Sequence, residues 1–444
     1  MNTPAISAGD TAWVFVATAL VLLMLPGLAL FYGGLVRARA ALNTLMMSFA
    51  AMSVVGVQWV AVGYALAFGS GAIVGDSSWF ALAGVGGAPG PYSGTIPHIS
   101  FAGFQAMFAG ITVALISGAM VERVRFNAYL VFALAWTTLV YDPLAHWVWA
   151  TDGWLRKLGA LDFAGGTVVH VSAGTAALVA AVMLGQRRDV GRTPLRPHNI
   201  VFTLIGAGLL WVGWLGFNAG SALAADGVAA NALATTHIAA AAGFLAWLAI
   251  DSLRTGQTTA VGGATGAVVG LVAITPAAGY VTPAAAVTIG ALGAVASYAA
   301  IQVRNRTSVD DALDVFACHG VAGIVGALLT GVFATKTVNP AGADGLLAGN
   351  PALLGIQAIA VACTIGFVAP MTAVILRAMS AVAALRVELR DELCGVDVSE
   401  HGEHAYHDTD GAPIAGVGSG ARLGDGVLVP ASASIEGMAS NVVA

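Results

Sequence analysis

The chain has 444 residues, 58% hydrophobic and 9% charged, with a formal net charge of −5. A soluble domain carries about a quarter charged residues, so this composition excludes one and points to a many-helix protein embedded in a lipid bilayer. Basic residues form no stripe, which speaks against nucleic acid, and Cys318, Cys363 and Cys394 lack disulfide or zinc spacing.

Residues 1–10 hold Asp10 and no Lys or Arg. The apolar run behind them therefore lacks the basic flank of a cleaved signal peptide and is expected to be a first transmembrane helix. Apolar windows long enough to cross about 30 Å of hydrocarbon fall at 12–36, 44–68, 101–121, 126–150, 165–186, 199–219, 229–252, 258–277, 282–303, 312–333 and 354–386. The expected fold is an all-α integral membrane protein with eleven transmembrane helices. Glycine and alanine weaken the signal in 258–277 and 282–303, and Pro276 and Pro283 mark the turn between them.

Residues 69–100 are rich in Gly, Pro and Ser and are expected to form an extracellular loop. Residues 387–444 are polar, acidic and dotted with His401, His404 and His407, as in a cytoplasmic tail that fades into disorder. The domains are then 1–11 outside, 12–386 in the membrane and 387–444 inside. Orientation follows from charge. One set of loops holds Arg37, Arg39, Arg123, Arg125, Arg187, Arg188, Arg192, Arg196, Arg254, Arg304 and Arg306; the other holds only Arg156, Lys157 and Lys336. The positive-inside rule puts the first set in the cytoplasm, giving N-out, C-in, which eleven spans satisfy by parity.

Two histidines occupy matched positions. Asp162 precedes His170 by eight residues in DFAGGTVVH, and Asp311 precedes His319 by eight in DALDVFACH. Eight helical residues rise about 12 Å, and half the hydrocarbon layer is about 15 Å. Segments entering from opposite faces would bring both imidazoles to the midplane, where an ionisable group marks a functional site. The same spacing in spans five apart, with opposite polarity, fits an inverted five-plus-five repeat with one long final helix outside it. Two unrelated histidines bonded within a bundle are the plain alternative. For Asp162 and Asp311 helix capping accounts for most of the role. Trp149, Phe104 and Phe108 fall at the outer membrane level, where an aromatic belt is the ordinary explanation. Their alternative is a cation–π site worth about 0.5–2 kcal/mol per ring. Ser221 could add a hydroxyl acceptor there, with Phe217 one turn below it.

The motifs FAGFQAMFAGITVALISGAMVERVRF, ALDFAGGTVVH, GWLGFNAGSAL, DDALDVFACHG, GLALFYGGLVR and DVSEHGEHAY resemble the ammonium transporter (Amt/methylammonium permease) family over nearly all of residues 10–407. The resemblance implies a homotrimer of eleven-span protomers in the cell membrane, each with its own pore. It implies ammonium recruitment at Trp149, Phe108 and Ser221, and occlusion by stacked Phe108 and Phe217. It further implies a twin-histidine pore at His170 and His319, with Asp162, Ala164 and Gln105 beside the recruitment site. Tyr32 and Thr275 match pore-proximal polar positions. The family implies ammonium or ammonia as substrate, with methylammonium as a candidate second one, and a PII-type nitrogen signal protein as partner on the tail. No cofactor or metal is implied.

The expected function is a transporter, not an enzyme: ammonium is bound outside and deprotonated, and ammonia passes the histidines with net charge transfer. An ammonium sensor with little flux and an Rh-like channel for neutral ammonia are the alternatives. A membrane hydrolase built on His and Asp is disfavoured, since HExxH is absent.

Overall fold

No water reaches the hydrocarbon layer, so a chain this apolar has to satisfy its backbone groups internally, and helices do so. The computed structural model describes residues 6–191 and 196–406. Helix α1 (Ala8–Leu35) opens the chain; the Ser7 hydroxyl accepts from the Asp10 amide at its N-terminus. The stretch Ala38–Phe68 contains α2 (Ala41–Gln58) and α3 (Tyr64–Phe68), and His98–Ala119 contains α4 (His98–Ile116). Phe126–Leu158 contains α5 (Phe126–Trp136), α6 (Asp142–Trp149) and α7 (Trp154–Leu158). Gly166–Leu184 ends in α8 (Ser172–Leu184), and α9 (Ile200–Gly220) and α10 (Gly227–Thr255) follow. Beyond α11 (Ala260–Ile274) come α12 (Pro283–Arg304), Phe316–Phe333 with α13 (Ala322–Phe333), and α14 (Pro351–Val382).

Among the described residues, ten of these stretches are long and apolar enough to cross a membrane. The eleventh expected window, 258–277, holds α11, whose 15 residues rise only about 22 Å. The helix stops because Pro276 follows Thr275: proline lacks the amide that a further turn would use.

Residues 69–97 form no span, and the last three residues of the expected loop, 98–100, already belong to α4. The loop holds a short hairpin of β1 (Pro89–Gly90) against β2 (Ser93–Pro97). Tyr92 from this loop stacks on Phe101 at 4.7 Å, and the Phe68 ring stands edge-on to both, which ties the loop to the bundle.

The tail departs from expectation. Residues 387–406 do not fade out: they carry α15 (Leu389–Cys394) and α16 (Val396–His401). The remainder, 407–444 with His407, lies outside the described residues. The short helices are held because their carboxylates reach backbone amides that need acceptors. Neither α2 nor α5 has a side-chain cap of its own. Asp397 accepts from the amides of Leu42 (3.0 Å) and Asn43 (2.8 Å), and Glu400 accepts from Phe126 (2.7 Å). Each carboxylate sits at the positive end of a helix dipole.

Candidate functional site

The site is a column of rings running down the bundle. Phe104 and Phe108 lie one turn apart on α4, and Phe108 meets Phe217 from the end of α9 face to face, with centroids at 4.1 Å and planes 15° apart. Trp149, the last residue of α6, stands perpendicular to Phe108 at 5.9 Å. Its indole donates to the Asp162 carbonyl at 2.9 Å. Ser221 caps the C-terminus of α9 and donates its hydroxyl proton to the Phe217 carbonyl at 2.9 Å. Its oxygen lone pairs are therefore left to accept from a ligand. Gln105 and Ala164 are buried nearby in sequence, and the Gln105 amide oxygen has no partner among the described residues.

Below Phe217 come the histidines. The His170 and His319 rings lie 5.4 Å apart, with Nδ1 to Nδ1 at 3.3 Å. One Nδ1 has to donate and the other accept, which fixes opposite tautomers at the shared edge. A cavity of about 10 Å³ lies between Phe217 and this pair, walled by Met24, Leu28, Phe31, Leu115, Trp214 and Val268 among others. That is room for about one water-sized molecule. Past His319 the space widens to about 330 Å³, lined by Tyr32, Cys318, Asp314, Arg37, Glu122 and Arg187.

The local backbone explains why the two segments meet. His170 and His319 do not sit on α-helix, as the twelve-ångström estimate assumed. Each sits on a six-residue π-helix, Gly166–Val171 and Phe316–Val321, a wider turn frequent at functional sites, though Trp59–Gly63 and Thr137–Tyr141 take the same form elsewhere. The first is launched by Asp162, whose carboxylate accepts from the amides of Gly165, Gly166, Thr167 and Val168 and from the Thr167 hydroxyl. Gly165 makes the entry at φ +114°, a region closed to most side chains. Asp311 plays the matching part more lightly, accepting from the Phe316 amide at 2.7 Å. The segments cross at glycine: a Cβ on Gly174 would fall 2.2 Å from the Gly320 nitrogen.

Two polar residues of the expected set divide. Tyr32 lines the wide cavity and donates its hydroxyl proton to the Leu115 carbonyl at 3.1 Å. Thr275 lines neither cavity. It accepts from the Trp214 indole at 2.8 Å and donates to the Leu271 carbonyl. Trp214 in turn stacks on His170 at 5.3 Å and 22°, so Thr275 acts at one remove. Trp214 was missed in the sequence, although its place three residues before Phe217 puts both on one helix face.

Charged side chains close the wide end. Glu122 is bonded by Arg37 and Arg187, at 2.6 and 2.9 Å; Asp310 is bonded by Arg187 and Arg123, at 2.8 and 3.0 Å; Arg37 also pairs with Asp189. Burial would raise the Glu122 carboxyl, but the bonds and charge of Arg37 and the charge of Arg187 outweigh it and hold it below its ordinary value. Asp310 follows the same sign: burial raises it and Arg187, then Arg123, bring it down. The tail joins here, with Glu392 accepting from the Arg188 amide and pairing with Arg386, both at 2.6 Å.

The Ammonium Transporter Family profile matches residues 12–406. The ammonium transporter of Bacillus subtilis (strain 168) is 49% identical over 403 residues, covering 90% of this chain and 99% of its own. The crystal structure of Saccharomyces cerevisiae Mep2 superposes with a TM-score of 0.82 at 37% identity, covering 87% of this chain and 92% of Mep2. A structure described as a sensor Amt protein superposes at 0.81 with 28% identity, covering 88% and 98%.

Proposed function

This chain belongs to the ammonium transporter family and is a multi-pass cell-membrane protein, and we propose that it conducts ammonium nitrogen into the cell along the ring column. Ammonium is recruited against Trp149, Phe104, Phe108 and Ser221, with Gln105, Ala164 and Asp162 shaping the mouth. Aromatic faces attract a cation with about 0.5–2 kcal/mol each, enough to gather it and too little to trap it. The Phe108–Phe217 stack then bars a hydrated ion. Taking an intact monovalent ion into the apolar cavity behind it costs on the order of 20 kcal/mol in the Born limit. Ammonium escapes that cost by losing a proton, whereas potassium, of similar size and charge, has none to lose. Ammonia passes His170 and His319 and leaves by the cavity beside Tyr32. The shared Nδ1 proton makes the imidazole pair a relay for the one released, so net charge crosses.

The observation that carries this reading is the 3.3 Å contact of the two Nδ1 atoms directly behind a single-molecule cavity. Eleven helices, N-out and C-in, with α11 as the short eighth, complete the proposed topology. The matched π-helices at His170 and His319 favour an inverted repeat. A homotrimer and docking of a PII-type signal protein on the tail belong to the same proposal.

The test is electrical recording with ammonium and potassium on His170→Ala and His319→Ala. Loss of ammonium current, or new potassium current, is expected; wild-type ammonium conduction in both without potassium entry overturns the role of the pair. The sensor-described neighbour motivates a second reading, sensing with little flux. Uptake of labelled methylammonium by reconstituted vesicles separates the two, and an absence of charge movement during uptake would instead favour a neutral ammonia channel.

A further inference from the structure

The segment 149–162, which runs from Trp149 to Asp162 at the mouth of the column, closes on itself and carries a cation that the transport reading leaves unused. Beyond Trp149 the chain doubles back so tightly that a Cβ on Gly153 would fall 2.1 Å from the His146 carbonyl oxygen. Glycine alone tolerates that approach. The turn lays α7 against the end of α6: Leu155 is fully buried there, and Trp154 packs on Trp147 with centroids at 5.7 Å. Gly159, at φ +98°, ends the helix. The chain then returns to Asp162, whose carbonyl receives the Trp149 indole.

Trp149 closes α6, so its own carbonyl lies past the last intrahelical donor. Arg156 supplies one. With Leu155 turned inward, the next side chain is exposed, and its guanidinium donates to the Trp149 carbonyl. The tryptophan is thus tied by its ring to Asp162 and by its backbone to Arg156.

The charges nearby are met unequally. Lys157 pairs with Asp152 at 3.2 Å. The ion pairs among the described residues include neither Arg156 nor Asp162. Amides and one hydroxyl bond the Asp162 carboxylate without cancelling its charge. Both groups act on one neighbour: burial raises the Tyr280 phenol, Asp162 adds to the rise and Arg156 opposes it. One carboxylate that draws cations and one guanidinium that repels them therefore share the mouth.

We propose that Arg156 sets the affinity of this mouth, its charge offsetting part of the pull of Asp162 on an arriving ammonium ion. The proposal rests on recruitment at Trp149. Two unit charges about 8 Å apart in water repel enough to change binding about twofold, and low-dielectric walls focus the field further. A second role for the same side chain would be to steady Trp149, and the two roles differ in sign. Losing a tie loosens the ring and weakens binding at any salt. Losing the charge strengthens binding, and that gain fades as the Debye length shrinks from about 30 Å at 0.01 M salt to about 3 Å at 1 M.

The test is calorimetric titration of the purified full-length protein with ammonium chloride, in about 0.01 M and about 1 M sodium chloride. R156Q keeps an amide donor and drops the charge. Its dissociation constant should fall about two- to threefold at low salt and converge on wild type at high salt. R156K keeps the charge and should bind as wild type does at both. Weaker binding by R156Q at low salt overturns the proposal and leaves Arg156 a tie for Trp149. A gain that survives high salt, or that R156K shares, overturns it too. Equal binding by wild type and R156Q at low salt removes Arg156 alone, whereas a wild type that binds no ammonium removes the recruitment reading and this proposal with it.

Discussion

The ring column and the charged collar bury polar groups by opposite means. In the column, two imidazoles meet each other and otherwise face rings and aliphatic walls, and the buried Nε2 of His170 has no partner among the described residues. In the collar, Arg37, Arg123, Arg187, Glu122 and Asp310 are interlocked, and Arg187 bonds both carboxylates. A buried charge is tolerated only when it is paired. A neutral imidazole is cheap enough to be left half satisfied, so that a passing molecule can complete it. The collar is built to hold shape, and the column suits the passage proposed above.

Removing one partner should therefore hurt the collar most. Asp310→Ala leaves Arg123 without its carboxylate and Arg187 with Glu122 alone, in a buried setting, at about 3–5 kcal/mol. The expected outcome is a large fall in melting temperature of the purified protein, or failure to obtain it monodisperse. His319→Ala leaves only a neutral Nδ1 unmatched, at about 1–3 kcal/mol, and should melt closer to wild type. Equal losses in the two variants would erase the distinction.

Acid should strike the same place. Glu122 and Asp310 have folded values held below their ordinary 4.5 and 3.8. A group depressed on folding lends stability that is present above the unfolded value and lost as pH falls through the folded one. Melting temperature should hold from pH 7 down to about 5 and drop below about 4.5. Glu122→Gln should flatten that drop while lowering the plateau, which a pH series of thermal melts reads directly.

Much of this was legible in the sequence. The positions of Phe108, Phe217, Trp149, Ser221, His170 and His319 came from motifs, and the structure stacks them into one column. What stayed hidden depends on contacts between distant segments. Glu122, Arg187 and Asp310 come from three loops, and in sequence the arginines read only as an orientation signal. The π-helices were invisible because side-chain periodicity does not report one extra residue per turn; Gly165 beside Asp162 was the available hint. Helix α11 looked like a full span because hydropathy windows run through Thr275 and Pro276, where the backbone cannot. The tail's acidity suggested a solvated segment, whereas the uncapped ends of α2 and α5, with the Arg188 amide and Arg386, explain why it folds back.

The tail contact offers a milder break. Asp397→Ala removes the acceptor for two amides at the start of α2, a capping loss of about 1 kcal/mol and at most about 2. Limited proteolysis should cut beyond residue 387 faster, while the melting temperature of the bundle barely moves. An unchanged cleavage rate would mean that Glu392 and Glu400 hold the tail without it.

The smallest expected effect lies at the mouth of the column. The Ser221 hydroxyl already spends its proton on the Phe217 carbonyl, so removing it strands only a backbone acceptor that lies at a helix end. On the proposed reading, what Ser221→Ala forfeits is a lone pair toward a cation that the rings of Phe108 and Trp149 still attract and that water still partly solvates. A hydrogen bond under those conditions is worth on the order of 0.5–1 kcal/mol. Half-saturation for ammonium uptake should rise about threefold, with the maximal rate held, because the stack and the histidines below are untouched. A fall in maximal rate at unchanged half-saturation would instead mean that the hydroxyl acts through the Phe217 backbone, on the ring that bars the way.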